Sequence, residues 1–198
     1  MFEKAYEFAK AAHESINQTR KYTGEPYMVH IDDVIKILRD AGIDDDTILS
    51  AAALHDVVED VGPPNAEYEG PYSLAQICRN FGVNIAFVVF ELTNQFTSNY
   101  YPSLNRKARK QLETERLKQF SYDAKLIKLA DIISNTKGLA TLDPDFAAVY
   151  LREKQDAISA IWFFGAAEPK LDRLSKLASK QILSELAKLP LDKTAVIR

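Results

Sequence analysis

The chain has 198 residues, with 25 Lys and Arg against 28 Asp and Glu, a formal charge of −3 and an isoelectric point near 5.7. That length fits one domain able to bury a sizeable core unaided, and 46% apolar with 27% charged residues excludes a disordered or collagen-like chain. A single cysteine, Cys78, excludes a disulfide framework and points to a reducing compartment, while the slight acidity gives no ground for generic nucleic-acid binding.

Helical periodicity dominates from the start. Phe2, Tyr6, Ala9, His13 and Ile16 recur every three or four residues, so residues 2–18 are expected as an amphipathic helix. Its charge makes it no signal peptide. RKYTGEPY, with Gly24 and Pro26, breaks the pattern, so 19–27 is a loop. Ile31, Val34, Ile35 and Leu38 mark a second helix closed by Gly42. Asp44 to Thr47 offer an N-cap for a third, Ala-rich helix with Ile48, Ala51, Ala52, His55 and Val58 on one face, which suits a buried central position. Residues 61–72 are Gly/Pro-rich and break any helix. Ser73 to Phe81 is a short helix, Asn84 caps a run from Ile85 to Asn94, and 96–104 is a polar loop. Charged Asn105–Phe120, then Ala124–Leu139 capped by Ser121, then Asp145 to about Gly165, then Pro169–Leu186 complete the series. No period-2 strand stands out, and FVVFEL has helical flanks. The expectation is all-α, one domain over 1–198, about eight to nine helices in irregular packing. No apolar run approaches the ~20 residues of a membrane span, so the cytoplasm is the default location.

Three stretches carry chemistry. In HDVVED, helical spacing pairs His55 with Glu59 and Asp56 with Asp60, setting four ionisable groups beside a buried stripe, where charge needs a partner or a metal, or else in a solvated acidic helix end. In KLIKLADIISN, Lys128, Asp131 and Asn135 share one face of an apolar helix, and an internal salt bridge from Lys125 or Lys128 is the plainer explanation for that carboxylate. In NRKARK, Arg106, Lys107, Arg109 and Lys110 suit a polyphosphate, or a solvated face paired with Glu113 and Glu115.

In this order, AHESINQTRKYTGEPYMVHIDDV, AAALHDVVED and AKLIKLADIISN resemble the HD-domain metal-dependent phosphohydrolases, and within them the RelA/SpoT-type hydrolases in their single-domain, small alarmone hydrolase form. The likeness runs over about residues 3–140, more weakly to 165, leaving the helices of 145–186 at its margin. It implies an HD helical fold and one divalent ion, Mn²⁺ by family expectation with other ions open, held by His30, His55, Asp56 and Asp131. Glu59 and Asp60 would orient or deprotonate a water. Arg20 and Lys21 would line the nucleotide site with Asn135, and, more loosely, Lys107, Arg109 and Tyr150. His13 would be structural or one step removed from the metal. The implied activity is removal of the 3′-diphosphate from (p)ppGpp. The same site would also serve (p)ppApp or the 2′-phosphate of NADPH. A different HD nucleotide hydrolase or a non-catalytic nucleotide sensor are the remaining classes. The implied partner is a small-molecule nucleotide, with no nucleic acid and no membrane, and a homo-oligomer stays open. The chain has no room for a synthetase domain, so it would degrade alarmone without making it. Ile31 follows His30 where the family usually has Pro. Residues 132–134 and Lys137 also depart from its pattern, and the loop 61–72 is expected to lid the site or mediate a subunit contact.

Overall fold

The computed structural model describes residues 1–62, 70–163 and 168–190; most of the expected lid, residues 63–69, lies outside them. The described residues fall in two compact units, Met1–Gln95 and Phe96–Arg198, and each is taken by itself.

The first unit holds α1 (Phe2–Ser15), α2 (Met28–Asp40), α3 (Asp46–Leu54), a π-helical turn (Val57–Val61), α4 (Leu74–Phe81) and α5 (Val83–Leu92). α3 is its centre. Asp45 caps it, accepting from the backbone N–H groups of Thr47 (2.8 Å) and Ile48 (3.1 Å). Every residue from Ile48 to Leu54 is buried, because the alanines let α1, α2 and α5 approach closely. Each fully buried Leu or Ile here contributes roughly 1.5–3 kcal/mol. α4 and α5 are joined at Gly82, whose φ of +91° is reached without strain only by glycine. Gly82, not Asn84, is therefore the start of α5, and Asn84 lies inside it.

The second unit holds α6 (Arg106–Leu117), α7 (Tyr122–Thr136), α8 (Leu139–Leu142), α9 (Pro144–Phe163) and α10 (Pro169–Leu186). α7 is its buried element, packed on α9 and α10. Asn105, Ser121 and Asp143 cap α6, α7 and α9. Glu185 of α10 reaches back to accept from the backbone N–H groups of Ala140 (3.1 Å) and Gly138, tying down the α7–α8 corner.

All nine expected helices are present, and the described residues contain no strand, only an isolated bridge between Thr19 and Pro26. Several local expectations change: α6 and α7 end at Leu117 and Thr136, three residues short, and α7 is followed after Gly138 (φ +71°) by α8, which spacing did not indicate. α1 ends at Ser15, three residues early, because Asn17 turns left-handed at φ +51°. The third helix stops at Leu54 and rewinds as the π turn.

Candidate functional site

Three groups of the first unit converge. His30 is the third residue of α2, His55 the C-cap of α3, and Asp56 the residue leading into the π turn. His30 Nε2 lies 3.4 Å from His55 Nε2 and 3.6 Å from Asp56 Oδ2, and His55 Nε2 is 2.9 Å from that same oxygen. Both imidazoles are buried and Asp56 is half-buried. His55 Nδ1 lies 2.8 Å from the Ala52 carbonyl and donates to it, which makes Nε2 the ring nitrogen that faces the other two groups.

That arrangement fits a divalent ion. With Nδ1 committed to the Ala52 carbonyl, His55 Nε2 is the nitrogen available to ligate a cation, beside a carboxylate oxygen and a second imidazole nitrogen. Two imidazoles and a carboxylate are a donor set that Mn²⁺, Fe²⁺ or Zn²⁺ accepts. Tyr27 supports the set. Its hydroxyl donates to Asp56 Oδ2 at 2.5 Å, and its ring packs between those of His13 (4.7 Å) and His30 (5.4 Å).

The π winding decides where the next two carboxylates go. One extra residue per turn moves Glu59 and Asp60 off the i+4 face on which helical spacing would put them. Glu59 turns to Asn94, accepting from its backbone N–H (3.0 Å) and its side-chain amide (2.6 Å). Asp60 accepts from the amide of Gln18 at 2.7 Å. Protein packed around the Asp60 carboxyl, then the negative charge of Asp56, push it up to about 6, against the opposing pull of Gln18. Arg20 and Lys21 sit on the loop between α1 and α2. It is closed by Arg20 N–H to the Glu25 carbonyl (2.8 Å) and Gly24 N–H to the Arg20 carbonyl (2.9 Å). The Lys21 ammonium donates to the Tyr22 hydroxyl at 3.0 Å.

In the second unit, Asp131 is a buried carboxylate on α7. The expected salt bridge is there: Lys128 Nζ lies 2.9 Å from Oδ2, and the Asn135 amide donates to Oδ1 at 2.5 Å. Ile132, Ile133 and Ser134 are interior residues, which explains the apolar departure from the family pattern at two of the three. α6 and α9 enclose a cavity of about 520 Å³ lined by Arg106, Lys107, Lys110, Arg152 and Glu153 among others. Burial, then the charges of Lys154, Lys128 and Arg106, lower the Lys110 pKa, so four cations crowd together here. Arg109 instead turns its guanidinium back to the Leu104 carbonyl, and Tyr150 stacks against Phe146 (5.1 Å) under the Lys154 ammonium (4.7 Å).

Sequence reasoning missed Tyr27, Gln18 and Asn94. The i, i+3 spacing of Tyr27 and His30 was a signal for the first; the other two depend on contacts across 42 and 35 residues.

A family model described as HD domain matches residues 5–161. The guanosine-3′,5′-bis(diphosphate) 3′-pyrophosphohydrolase MESH1 of Drosophila melanogaster is 38% identical over 136 residues, 68% of each chain. The Homo sapiens protein of that name is 35% identical over 144 residues, 72% of this chain and 71% of its own. A solved structure, described as a metazoan ortholog of SpoT that hydrolyzes ppGpp, superposes with a TM-score of 0.69 at 29% identity, covering 88% of this chain and 93% of the other.

Proposed function

The chain belongs to the HD-domain family, and from that premise we propose that it is a metal-dependent hydrolase of guanosine alarmones. It removes the 3′-diphosphate of (p)ppGpp and leaves GDP or GTP and pyrophosphate. The observation that carries this reading is the convergence of His30, His55 and Asp56 on one point. The activity named for the fly and human relatives supports the choice of substrate.

His30, His55 and Asp56 would hold a divalent ion, proposed to be Mn²⁺, and Asp131 is proposed as its fourth protein ligand on its motif and burial alone. Such an ion polarises a phosphate oxygen and lowers the pKa of a water. The chain's own groups do the rest. Tyr27 fixes the rotamer of Asp56 through their short hydrogen bond. Asp60, with Glu59, is proposed to take the proton of the attacking water. Water supplies hydroxyl to phosphorus and, in the end, a proton to the departing ribose 3′ oxygen. Arg20 and Lys21 are proposed to hold the base and phosphates, Asn135 and Tyr150 the nucleoside, and Lys107 and Arg109 the diphosphate. The crowding of Lys110 by Lys128 and Lys154 supports polyphosphate binding on this unit.

Residues 1–198 are proposed to form one functional domain; the family match over residues 5–161 supports this for that stretch. No helix among the described residues is long and apolar enough to cross a membrane. A cytoplasmic location, with neither nucleic acid nor membrane as partner, is proposed with the rest.

The test is incubation of the protein with Mn²⁺ and, separately, ppGpp, ppApp and NADPH, following pyrophosphate and phosphate. Pyrophosphate from ppGpp is the expected result. Pyrophosphate from ppApp alone would reassign the base, and phosphate from NADPH alone would move the function to cofactor dephosphorylation. Silence on all three with metal bound would overturn the hydrolase reading.

A further inference from the structure

The end of α1 is built around two residues that bond to each other twice. Asn17, left-handed at φ +51°, closes a Schellman motif in which the Gln18 N–H donates to the His13 carbonyl (3.0 Å) and the Asn17 N–H to the Glu14 carbonyl (3.0 Å). This backbone corner folds the Gln18 side chain back over His13. Their side chains meet at 2.6 Å, His13 Nδ1 to Gln18 Oε1, and the other end of the Gln18 amide donates to Asp60 Oδ2 at 2.7 Å. The donor roles follow from the chain's end. An ionised carboxylate only accepts, so Gln18 presents nitrogen to Asp60 and oxygen to His13, and His13 must donate from Nδ1.

His13 is 1% exposed, and its Nε2 has no hydrogen-bond partner among the described residues. A buried acceptor left unpaired is destabilising, because its lost hydration is not replaced. An apolar side chain would fill the same space without that cost, so packing alone does not account for a histidine here. What an apolar side chain lacks is the Nδ1 donor. Burial also lowers the His13 pKa, which keeps the ring neutral with a single hydrogen to place on Nδ1.

We propose that His13 and Gln18 are positioning residues for Asp60: His13 orients the Gln18 amide, and that amide holds the Asp60 carboxylate in one rotamer. The proposal rests on the reading of Asp60, together with Glu59, as the pair that takes the water's proton. The Asp60 residue is exposed at the edge of the π turn while its carboxyl has protein around it, with Gln18 and Tyr27 as side-chain hydrogen-bond partners, and the 2.7 Å bond from Gln18 is the contact that depends on His13.

The test compares Gln18→Leu, His13→Leu, His13→Asn and His13→Gln with the wild type, each with Mn²⁺ on ppGpp. Asn reproduces an Nδ1-side donor and Gln an Nε2-side one. Gln18→Leu and His13→Leu are expected to lower kcat about 10- to 100-fold with KM and bound metal within twofold of wild type. His13→Asn should restore most of kcat and His13→Gln should not. The Gln18→Leu/His13→Leu double variant should be no slower than the worse single one, since both act through one contact. Long-range ¹H–¹⁵N spectra of the metal-free protein supply a reading independent of turnover: His13 should be the Nδ1–H tautomer, and its Nδ1–H resonance should move in Gln18→Leu. An Nε2–H tautomer, equal rescue by Asn and Gln, or unchanged kcat in both leucine variants would overturn the proposal. Asp60→Asn separates it from the reading beneath. If Asp60→Asn turns over normally, that reading falls. If it is inactive while Gln18→Leu is not, the positioning proposal alone falls.

Discussion

The Tyr27 hydroxyl donates to Asp56 Oδ2 across 2.5 Å, and that oxygen is the one that faces both His30 and His55. The bond joins the loop before α2 to the residue after α3, so two segments 29 positions apart are locked at the point where the donors converge. Partners of this kind typically tune metal affinity by 10- to 100-fold. Tyr27→Phe keeps the ring packing against His13 and His30 and removes only the hydroxyl. It should weaken Mn²⁺ binding by about that factor, read by calorimetric titration. Unchanged affinity would make Tyr27 a packing residue.

Metal binding to the folded protein alone must raise its stability. At Mn²⁺ about 100-fold above its dissociation constant the gain is ~2.7 kcal/mol, or roughly 5–10 °C in Tm for a chain of this size. A chelator should reverse the shift and stop pyrophosphate release together. His55→Ala should abolish both effects. A Tm shift that survives in His55→Ala would place the ion elsewhere.

Glu59 is held by two donors from Asn94. Glu59→Gln preserves size and an acceptor oxygen but cannot take a proton. It should keep the metal-dependent Tm shift and lower kcat by about 10²–10⁴-fold, the usual worth of a positioned proton acceptor. A kcat equal to wild type would leave Glu59 with a purely structural role at the α5 terminus.

Glu185 tests the second unit. It is 2% exposed. Burial raises its pKa, but hydrogen bonds from Lys188 and the backbone of Ala140 and Gly138 outweigh this and set it below the ordinary 4.5. A depressed carboxyl pKa gives stability that is present above the unfolded value and is lost as pH falls through the folded one. Glu185→Gln should therefore cost roughly 1–3 kcal/mol at pH 7. The gap between variant and wild type should narrow below about pH 4.5, measured by urea unfolding at several pH values. A gap that stays constant with pH would mean the charge contributes nothing.

The helices were legible because each carries its own signal within a few residues. Asp45, Ser73, Asn105 and Ser121 stand where side chains cap α3, α4, α6 and α7, and apolar spacing of three and four marks the buried faces. The donors His30, His55 and Asp56 were legible from motif order. What spacing could not supply was direction. Read as a helix, HDVVED puts Glu59 under His55 and Asp60 under Asp56. The π turn sends Glu59 to Asn94 and Asp60 to Gln18. Nothing in those six residues announces the extra residue per turn.

By itself, then, the amino-acid order determined the all-α class, the caps, the buried stripes and the identity of the convergent donors, since all of these rest on local backbone geometry or on short motifs. Only the tertiary structure decided which carboxylate meets which partner, that Asn17 folds Gln18 onto His13, and that Lys128 pairs with Asp131 where Lys125 does not. The Glu59 and Asp60 contacts span 35 and 42 residues, whereas the Gln18–His13 and Lys128–Asp131 contacts are short in sequence and turn on the direction one side chain takes, which a rotation of one residue in a helical turn changes entirely.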